Sequence, residues 1–509
     1  MHVIFLNPQG NFDPADSHWT QHPDFGGQLV YVKETALAMA QQGAQVDIVT
    51  RRVEDPAWPE FKSALDLYPG HPNVRIVRLD CGGPAFLAKE ELWPHLVREW
   101  VPAIEGFYRR EGRLPDAATT HYGDGGLAGA LLKERVGAPY TFTGHSLGAQ
   151  KLDKMLAGAG GQVLDEEALA PLDSRFHFGR RLAAERMAMN RAGKVITSTQ
   201  QERFEQYGHP AYRGAVDPED DQKFAVIPPG VNLTVFDATS RNDQEASTAA
   251  FVDHVLARDI APERRALPVI LYSSRLDAKK NHMGLLQAFA RHPELQKLAN
   301  VGLVIRGADN ALQERNRFRG EARALLDAMA LLCDEAGLWG KVSSFPLEGQ
   351  AQLAAAYRYL ARRNSLFCLT AFHEPFGLAP LEAMAAGLPA VVTQNGGPSE
   401  SLQENGQEFG VLVDPADPDD VARGLLRVLA HPSHWQRFSE AGRRRVLDRY
   451  TWERTAAGYA QVLEHLIAHP APQAQPLLPI PPYFEEPTTG NDFTLSDLAA
   501  LYQGQQVDM

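Results

Sequence analysis

The sequence predicts an α/β protein built from two doubly wound, parallel-sheet domains that face a central cleft. Three observations predict it. Short β-rich runs alternate with helical patterns along most of the chain, the alternation restarts after a polar interruption, and 509 residues suit more than one domain at roughly 150 residues each. In the first series the strands are expected at residues 2–6, 46–50, 74–79, 117–121, 140–143, 195–198 and 224–227, with helices such as 28–42 and 176–191 between them. Ile227-Pro228-Pro229-Gly230 punctuates the chain, a polar stretch covers 240–244, and a second series then places strands at 268–273, 301–306, 342–345, 366–370, 390–393 and 411–413. The expected division is 1–235 for the first domain and 236–450 for the second. A ligand would bind at the carboxyl ends of the strands. The prolines of PAPQAQPLLPIPP (470–482) lack amide donors and cannot continue a helix, so this stretch reads as an extended tether, followed by a short helix within 491–503.

Composition narrows the function. The net charge of −13 argues against a general nucleic-acid binder, which needs a basic face. Three widely spaced cysteines, Cys81, Cys333 and Cys368, make neither a disulfide framework nor a zinc site, and read as small buried hydrophobes. The start MHVIFLNPQG has no basic region or cleavage site and reads as a first strand, and no apolar run reaches the roughly 18 residues of a membrane helix. A cytoplasmic protein without a membrane span is expected.

The richest segment is His373-Glu374-Pro375-Phe376-Gly377-Leu378-Ala379-Pro380-Leu381-Glu382, directly after the strand at 366–370. Pro380 suits a first helical position, which would leave the amides of Phe376, Gly377 and Leu378 at a helix N-terminus, an anion site fit for a diphosphate. Glu374 and Glu382, eight positions apart, could address two parts of one ligand, although acids at helix starts also serve as dipole partners. Ser273-Ser274-Arg275-Leu276-Asp277-Ala278-Lys279-Lys280 follows another strand, and Arg275 and Lys280 there could neutralise a departing phosphate. Asp24-Phe25-Gly26-Gly27-Gln28 between the first strand and helix lets a backbone approach a ligand or makes a tight turn.

Two motifs point elsewhere. Gly144-His145-Ser146-Leu147-Gly148 matches the G-x-S-x-G nucleophile elbow of serine hydrolases. Gly123-Asp124-Gly125-Gly126-Leu127-Ala128 matches a dinucleotide fingerprint but lacks the acid expected about 20 residues on. No GxxxxGK[ST] or HExxH occurs, and no metal site is expected.

Taken together, FLNPQGNFDPADSHWTQHPDFGGQLVYVKE, TTHYGDGGLAGALL, TFTGHSLGAQK, VIPPGVN, SSRLDAKKNH and FHEPFGLAPLEAMAAGLPAVVTQNGGPSE resemble the sucrose-phosphate synthase family, retaining nucleotide-sugar glycosyltransferases with an E-x7-E motif and two Rossmann-like domains, the GT-B fold. The resemblance covers about residues 1–468. The tail 469–509 and an insertion at 158–173 depart from it, and the chain looks like a minimal bacterial form. The resemblance implies transfer of glucose from UDP-glucose or ADP-glucose to the C2 hydroxyl of fructose 6-phosphate, giving sucrose 6-phosphate with retained configuration. It implies that Arg275 and Lys280 hold the donor diphosphate while amides around Phe376, Gly377 and Leu378 cap it, that Glu382 binds the ribose and Glu374 the transferred sugar, that His145 bonds the sugar's C6 hydroxyl, and that Gly27 and Gln28 face both substrates. The acceptor phosphate needs a basic site on the first domain, for which Lys89, Lys151, Arg175, Arg180 and Arg181 are candidates, with Lys89, Lys151 and Arg180 preferred. A helix at 451–468 is expected to pack back on the first domain, and the tail to dock on the body or on a partner. No cofactor is required by this reading, Mg2+ being at most stimulatory. The rivals are a sucrose synthase-like enzyme using free fructose, a related mannosyl- or glucosyltransferase, the serine hydrolase, and a non-catalytic sugar-nucleotide sensor.

Overall fold

The computed structural model describes residues 1–19, 25–158, 166–469 and 476–505. They form two compact units, Met1–Pro228 with Trp452–Met509, and Pro229–Thr451. The chain therefore crosses at Pro228, ahead of the expected boundary at 235. The reason is local: the Val231 amide donates to the Tyr450 carbonyl at 2.8 Å, the Arg358 guanidinium donates to the Val235 carbonyl at 2.6 Å, and Phe236 is buried in the second unit's core.

The first unit holds β1 (His2–Leu6), β2 (Gln45–Arg51), β3 (Leu65–Tyr68), β4 (His71–Leu79), β5 (Ala117–His121), β6 (Tyr140–Thr143), β7 (Lys194–Thr197) and β8 (Phe224–Val226) in the order β3-β4-β2-β1-β5-β6-β7-β8. Every neighbouring pair is parallel except β3 with β4. All five residues of β1 are buried, as a strand covered on both faces requires, and continuous apolar runs such as VIFL record that. The antiparallel edge strand β3 was not expected, and its Leu65 and Leu67 are about half exposed. The glycines of the fingerprint-like GDGG lie inside the helix Tyr122–Val136 and serve packing: a Cβ on Gly125 would lie 2.6 Å from the Leu6 carbonyl oxygen, and one on Gly126 would lie 2.5 Å from Ala188 Cβ. The helix Trp452–Ala468 belongs to this unit and packs on the helix Gly27–Gln41, where Tyr459 Oη meets Tyr31 Oη at 3.0 Å and Thr143 Oγ1 at 2.9 Å.

The second unit holds β9 (Val269–Ser273), β10 (Asn300–Val304), β11 (Val342–Phe345), β12 (Leu366–Leu369), β13 (Ala390–Thr393), a two-stranded ribbon of β14 (Gln403–Glu404) and β15 (Gln407–Glu408), and β16 (Val411–Val413). Its six-stranded sheet runs β11-β10-β9-β12-β13-β16, all parallel. Strand order reverses between β9 and β12 here, and between β1 and β5 in the first unit. In each sheet the loops after those two strands frame the crevice where a doubly wound fold takes its ligand.

The three cysteines are free and buried. Among the described residues no helix is long and apolar enough to cross a membrane. The tail is not a bare tether: residues 476–481 are irregular, Pro482–Glu485 and Leu495–Tyr502 are helical, and Tyr483, Phe484, Leu498 and Leu501 are buried in the first unit's core. Residues 470–475 of the expected tether lie outside the described residues.

Candidate active site

In the second unit, the loops after β9 and β12 are fastened to each other. Tyr272 Oη donates to the Lys280 carbonyl and accepts the Thr370 amide at 3.2 Å, Thr370 Oγ1 donates to the Asn281 carbonyl at 2.8 Å, and the Phe372 amide donates to the Lys279 carbonyl at 3.0 Å. This lacing brings Lys280 Nζ to 2.7 Å from Glu374 Oε2, with both side chains mostly shielded from water. A charged pair held this way is oriented for a ligand and costly to break from one side. Arg275 is exposed, and its side chain makes no ion pair or hydrogen bond among the described residues.

Gly377, at φ +94°, is the N-cap of the helix Leu378–Ala385, and no side chain caps it, so the first amides stay open as an anion site. Pro380 is the third residue of that helix rather than the first. The loop bearing Glu374 is held from β13: Gly396, at φ +97°, pairs with Glu374, the Gly397 amide donates to the Glu374 carbonyl at 3.0 Å, and the Glu374 amide donates to the Asn395 carbonyl at 3.1 Å. Glu382 has no hydrogen-bond partner among the described residues, and burial pushes its carboxyl up to about 8. A lone carboxyl beside an anion site suits a ligand that brings its own hydroxyl donors.

That shift has a stability consequence. The unfolded chain ionises Glu382 near 4.5 while the folded chain keeps the proton to about 8, so this group's contribution falls as pH rises across that window. Glu382→Gln removes the titration. The difference in Tm between Glu382→Gln and the parent should therefore shift in the variant's favour from pH 5 to pH 8, and a difference that stays flat over thermal scans in that range would count against it.

In the first unit, a cavity of about 200 Å³ opens at the switch point, lined by Gln9 from the loop after β1, Tyr122, Gly123 and Asp124 after β5, Ser146 after β6, and by Lys89, Glu90, Trp93, Lys151, Phe176 and Arg181. Lys151 Nζ lies 4.2 Å from the centre of the Phe176 ring. Arg181 donates to Glu185 Oε1 at 2.9 Å and to the Ser146 carbonyl. Burial pushes Asp124 up to about 6. Lys89 and Lys151, preferred from the sequence, line this cavity. Arg180 does not: it pairs with Asp492 and lies over the Tyr483 ring, and its neighbour Arg181 takes the place in the wall. Arg175 is likewise absent from the lining, its guanidinium over Phe176.

His145, at φ +54°, stacks on His121, and their Nε2 and Nδ1 atoms meet at 2.9 Å, with His121 Nε2 in turn on Thr119 Oγ1. Burial pulls His145 down to about 3 and His121 below its ordinary value, so both rings are neutral near pH 7. His145 Nδ1 is then the ring atom left to meet a ligand. The strained residue of this turn is His145 rather than Ser146, and Ser146 Oγ meets no histidine among the described residues, which is not the geometry of a nucleophile elbow. Gln28 Nε2 donates to Asn7 Oδ1. Gly26 and Gly27 have no positive φ, and a Cβ on either would meet nothing within 4 Å. The tight turn is therefore not what asks for glycine there, and the backbone is left open to approach. Asp24 lies outside the described residues. Missed from the sequence were Gln9, Trp93, Tyr122 and Asp124 as wall residues and His121 as the partner of His145. Their places after β1 and β5, at the reversal of strand order, were the signal available.

A model of the family described as Glycosyl transferases group 1 matches residues 257–445, and one described as Glycosyl transferase 4-like domain matches residues 26–216. The chain is 40% identical over 464 residues to a probable sucrose-phosphate synthase of Thermosipho melanesiensis, covering 91% of this chain and 96% of that one. It is 28% identical over 494 residues to sucrose synthase 1 of Hordeum vulgare, covering 89% of this chain but 59% of that longer one. Among solved structures, the sucrose-phosphate synthase of Thermosynechococcus elongatus matches with a TM-score of 0.61 and 24% identity over 92% of this chain and 99% of that one, a likeness of fold, the two-unit GT-B arrangement of α/β sheets. Identity of 40% along nearly the whole of both chains makes this chain a member of the sucrose-phosphate synthase family, a hexosyltransferase of sucrose synthesis.

Proposed function

We propose that the chain moves glucose from UDP-glucose or ADP-glucose to the C2 hydroxyl of fructose 6-phosphate, releasing the nucleoside diphosphate and sucrose 6-phosphate with the anomeric configuration retained. The observation that carries the choice of a phosphorylated acceptor is the cavity walled by Lys89, Lys151 and Arg181, three cations about one opening of a size for a hexose phosphate. Free fructose brings no phosphate for those cations to meet, and that difference separates this reading from the sucrose synthase-like one.

On the donor side, Lys280 and Arg275 face the diphosphate, the open amides of Gly377 and Leu378 cap it, Glu382 takes the ribose hydroxyls, and Glu374 takes hydroxyls of the transferred glucose. His145 bonds the C6 hydroxyl, and Gly27 and Gln28 meet both substrates. The bond from the anomeric carbon to the phosphate oxygen breaks as the bond to the acceptor oxygen forms on the same face, and the departing phosphate oxygen takes the acceptor's proton. Positive charge grows on the sugar and negative charge on the diphosphate, so fixed cations and amides lower the transition state more than the ground state. No resident cofactor is needed, and Mg2+ would act only as a counter-ion of the diphosphate.

The test is a matrix of UDP-, ADP- and GDP-glucose against fructose 6-phosphate and fructose, with the products identified. Sucrose 6-phosphate is the expected product, and equal turnover of free fructose would overturn the acceptor assignment. Lys151→Met should raise KM for fructose 6-phosphate by roughly tenfold or more, the loss of one charge-assisted bond. Unchanged KM in that variant would remove the cavity from the reading.

A further inference from the structure

The tail does more than cover apolar surface, a task that Tyr483, Phe484, Leu498 and Leu501 already fulfil. Its polar contacts run the length of the helix Phe178–Arg191, which carries Arg181. At one end Asn190 donates to the Pro476 carbonyl at 3.2 Å and accepts the Leu478 amide at 3.0 Å, while Arg191 donates to the Leu478 carbonyl at 2.8 Å. At the other end Arg180 Nε donates to Asp492 Oδ1 at 2.9 Å and Nη2 donates to Oδ2, a two-pronged pair. Phe493 lies so close to Gly179 that a Cβ there would be 2.8 Å from Phe493 Cβ.

Other elements of the cavity wall are held in the same way. Tyr502 Oη donates to Asp153, two residues from Lys151 on the helix Gly148–Gly158, and the Phe484 ring lies 6.5 Å from that of Trp93. None of these tail residues lines the cavity.

We infer that the carboxy-terminal segment 476–505 is a positioning element for the acceptor cavity, and that the Arg180–Asp492 pair is its principal clamp, fixing the turn of helix from which Arg181 reaches the acceptor phosphate. This rests on the reading of that cavity as the phosphate-binding acceptor site. Arg180 is then a positioning residue, one step removed from substrate. Its side chain and that of Asp492 keep 17% and 28% of their accessibility, so a charge placed there still reaches water, and a change at the pair leaves the apolar seat of the tail at Tyr483, Phe484, Leu498 and Leu501 in place.

The test uses the full chain, with UDP-glucose and fructose 6-phosphate as probes. Asp492→Arg sets two cations against each other and should raise KM for fructose 6-phosphate roughly tenfold, a small displacement of a binding group being enough for that. KM for UDP-glucose and kcat should stay within about twofold. Combining Arg180→Glu with Asp492→Arg restores an ion pair and should return KM to within about threefold of the parent. An unchanged KM in Asp492→Arg overturns the inference, as does a loss of kcat and of both substrates' KM together with a fallen Tm, or failure of the double variant to rescue. Lys151→Met in the same assay separates the two levels: no effect there sinks the acceptor reading itself, whereas an effect there with none in Asp492→Arg sinks only the positioning role of the tail.

Discussion

Lys280→Ala is expected to lower kcat/KM by at least about a hundredfold, close to 2.7 kcal/mol of transition-state stabilisation. Two losses add. The departing diphosphate loses the cation that meets its growing charge, and Glu374, whose carboxylate lies 2.7 Å from Lys280 Nζ in a shielded site, is left without its counter-charge. Because the lacing through Tyr272, Thr370 and Phe372 uses backbone groups of the β9 loop, it survives the substitution, so the chain should still fold, with a Tm lowered by the unpaired Glu374. Steady-state rates on the natural donor, beside circular dichroism melts, decide the matter; a variant within threefold of the parent would show that Lys280 is not part of the transition-state machinery.

A loss approaching that size is expected from Gly396→Ala, a residue that touches no substrate in the proposed reaction. A Cβ at Gly396 would lie 2.1 Å from the Glu374 carbonyl oxygen and 2.8 Å from its carbon, and φ there is +97°. Backbone cannot yield as a flexible side chain does, so the loop bearing Glu374 must move away from β13. The strain alone is about 1–3 kcal/mol, and the displaced carboxylate should carry off at least about tenfold to a hundredfold in kcat/KM besides. Gly406→Ala is the control, since φ is +77° but nothing lies within 4 Å of its Cβ. That variant should lose some stability and keep its rate. Equal rates in the two alanine variants would contradict the part assigned to the Glu374 loop.

Much of the architecture was legible because buried parallel strands write themselves as unbroken apolar runs, VIFL in β1 being the plainest. β3 escaped because an edge strand needs no such run and leaves Leu65 and Leu67 half in water. The loop from His373 to Leu378 was readable in part, since a strand end, a positive-φ glycine and a helix start are local signals, whereas its fastening to Gly396 and to the β9 loop is not. The choice between Arg180 and Arg181 was not readable, because adjacent residues on a helix point about 100° apart. Arg180 turns to Asp492, more than three hundred residues away in sequence. The His121–His145 contact was hidden for the same reason, two strand ends meeting only once the sheet order is known.

The second unit starts and finishes at one spot: Val231 and Thr451 are bridged as parallel neighbours, and the Val231 amide bonds the Tyr450 carbonyl. A module whose two ends are stitched side by side is a cassette, which evolution or an engineer can lift out or exchange between relatives without unpicking its own sheet. In the proposed reading the donor groups lie inside that cassette and the acceptor cavity and tail outside it, so donor preference is expected to be exchangeable without touching the acceptor side.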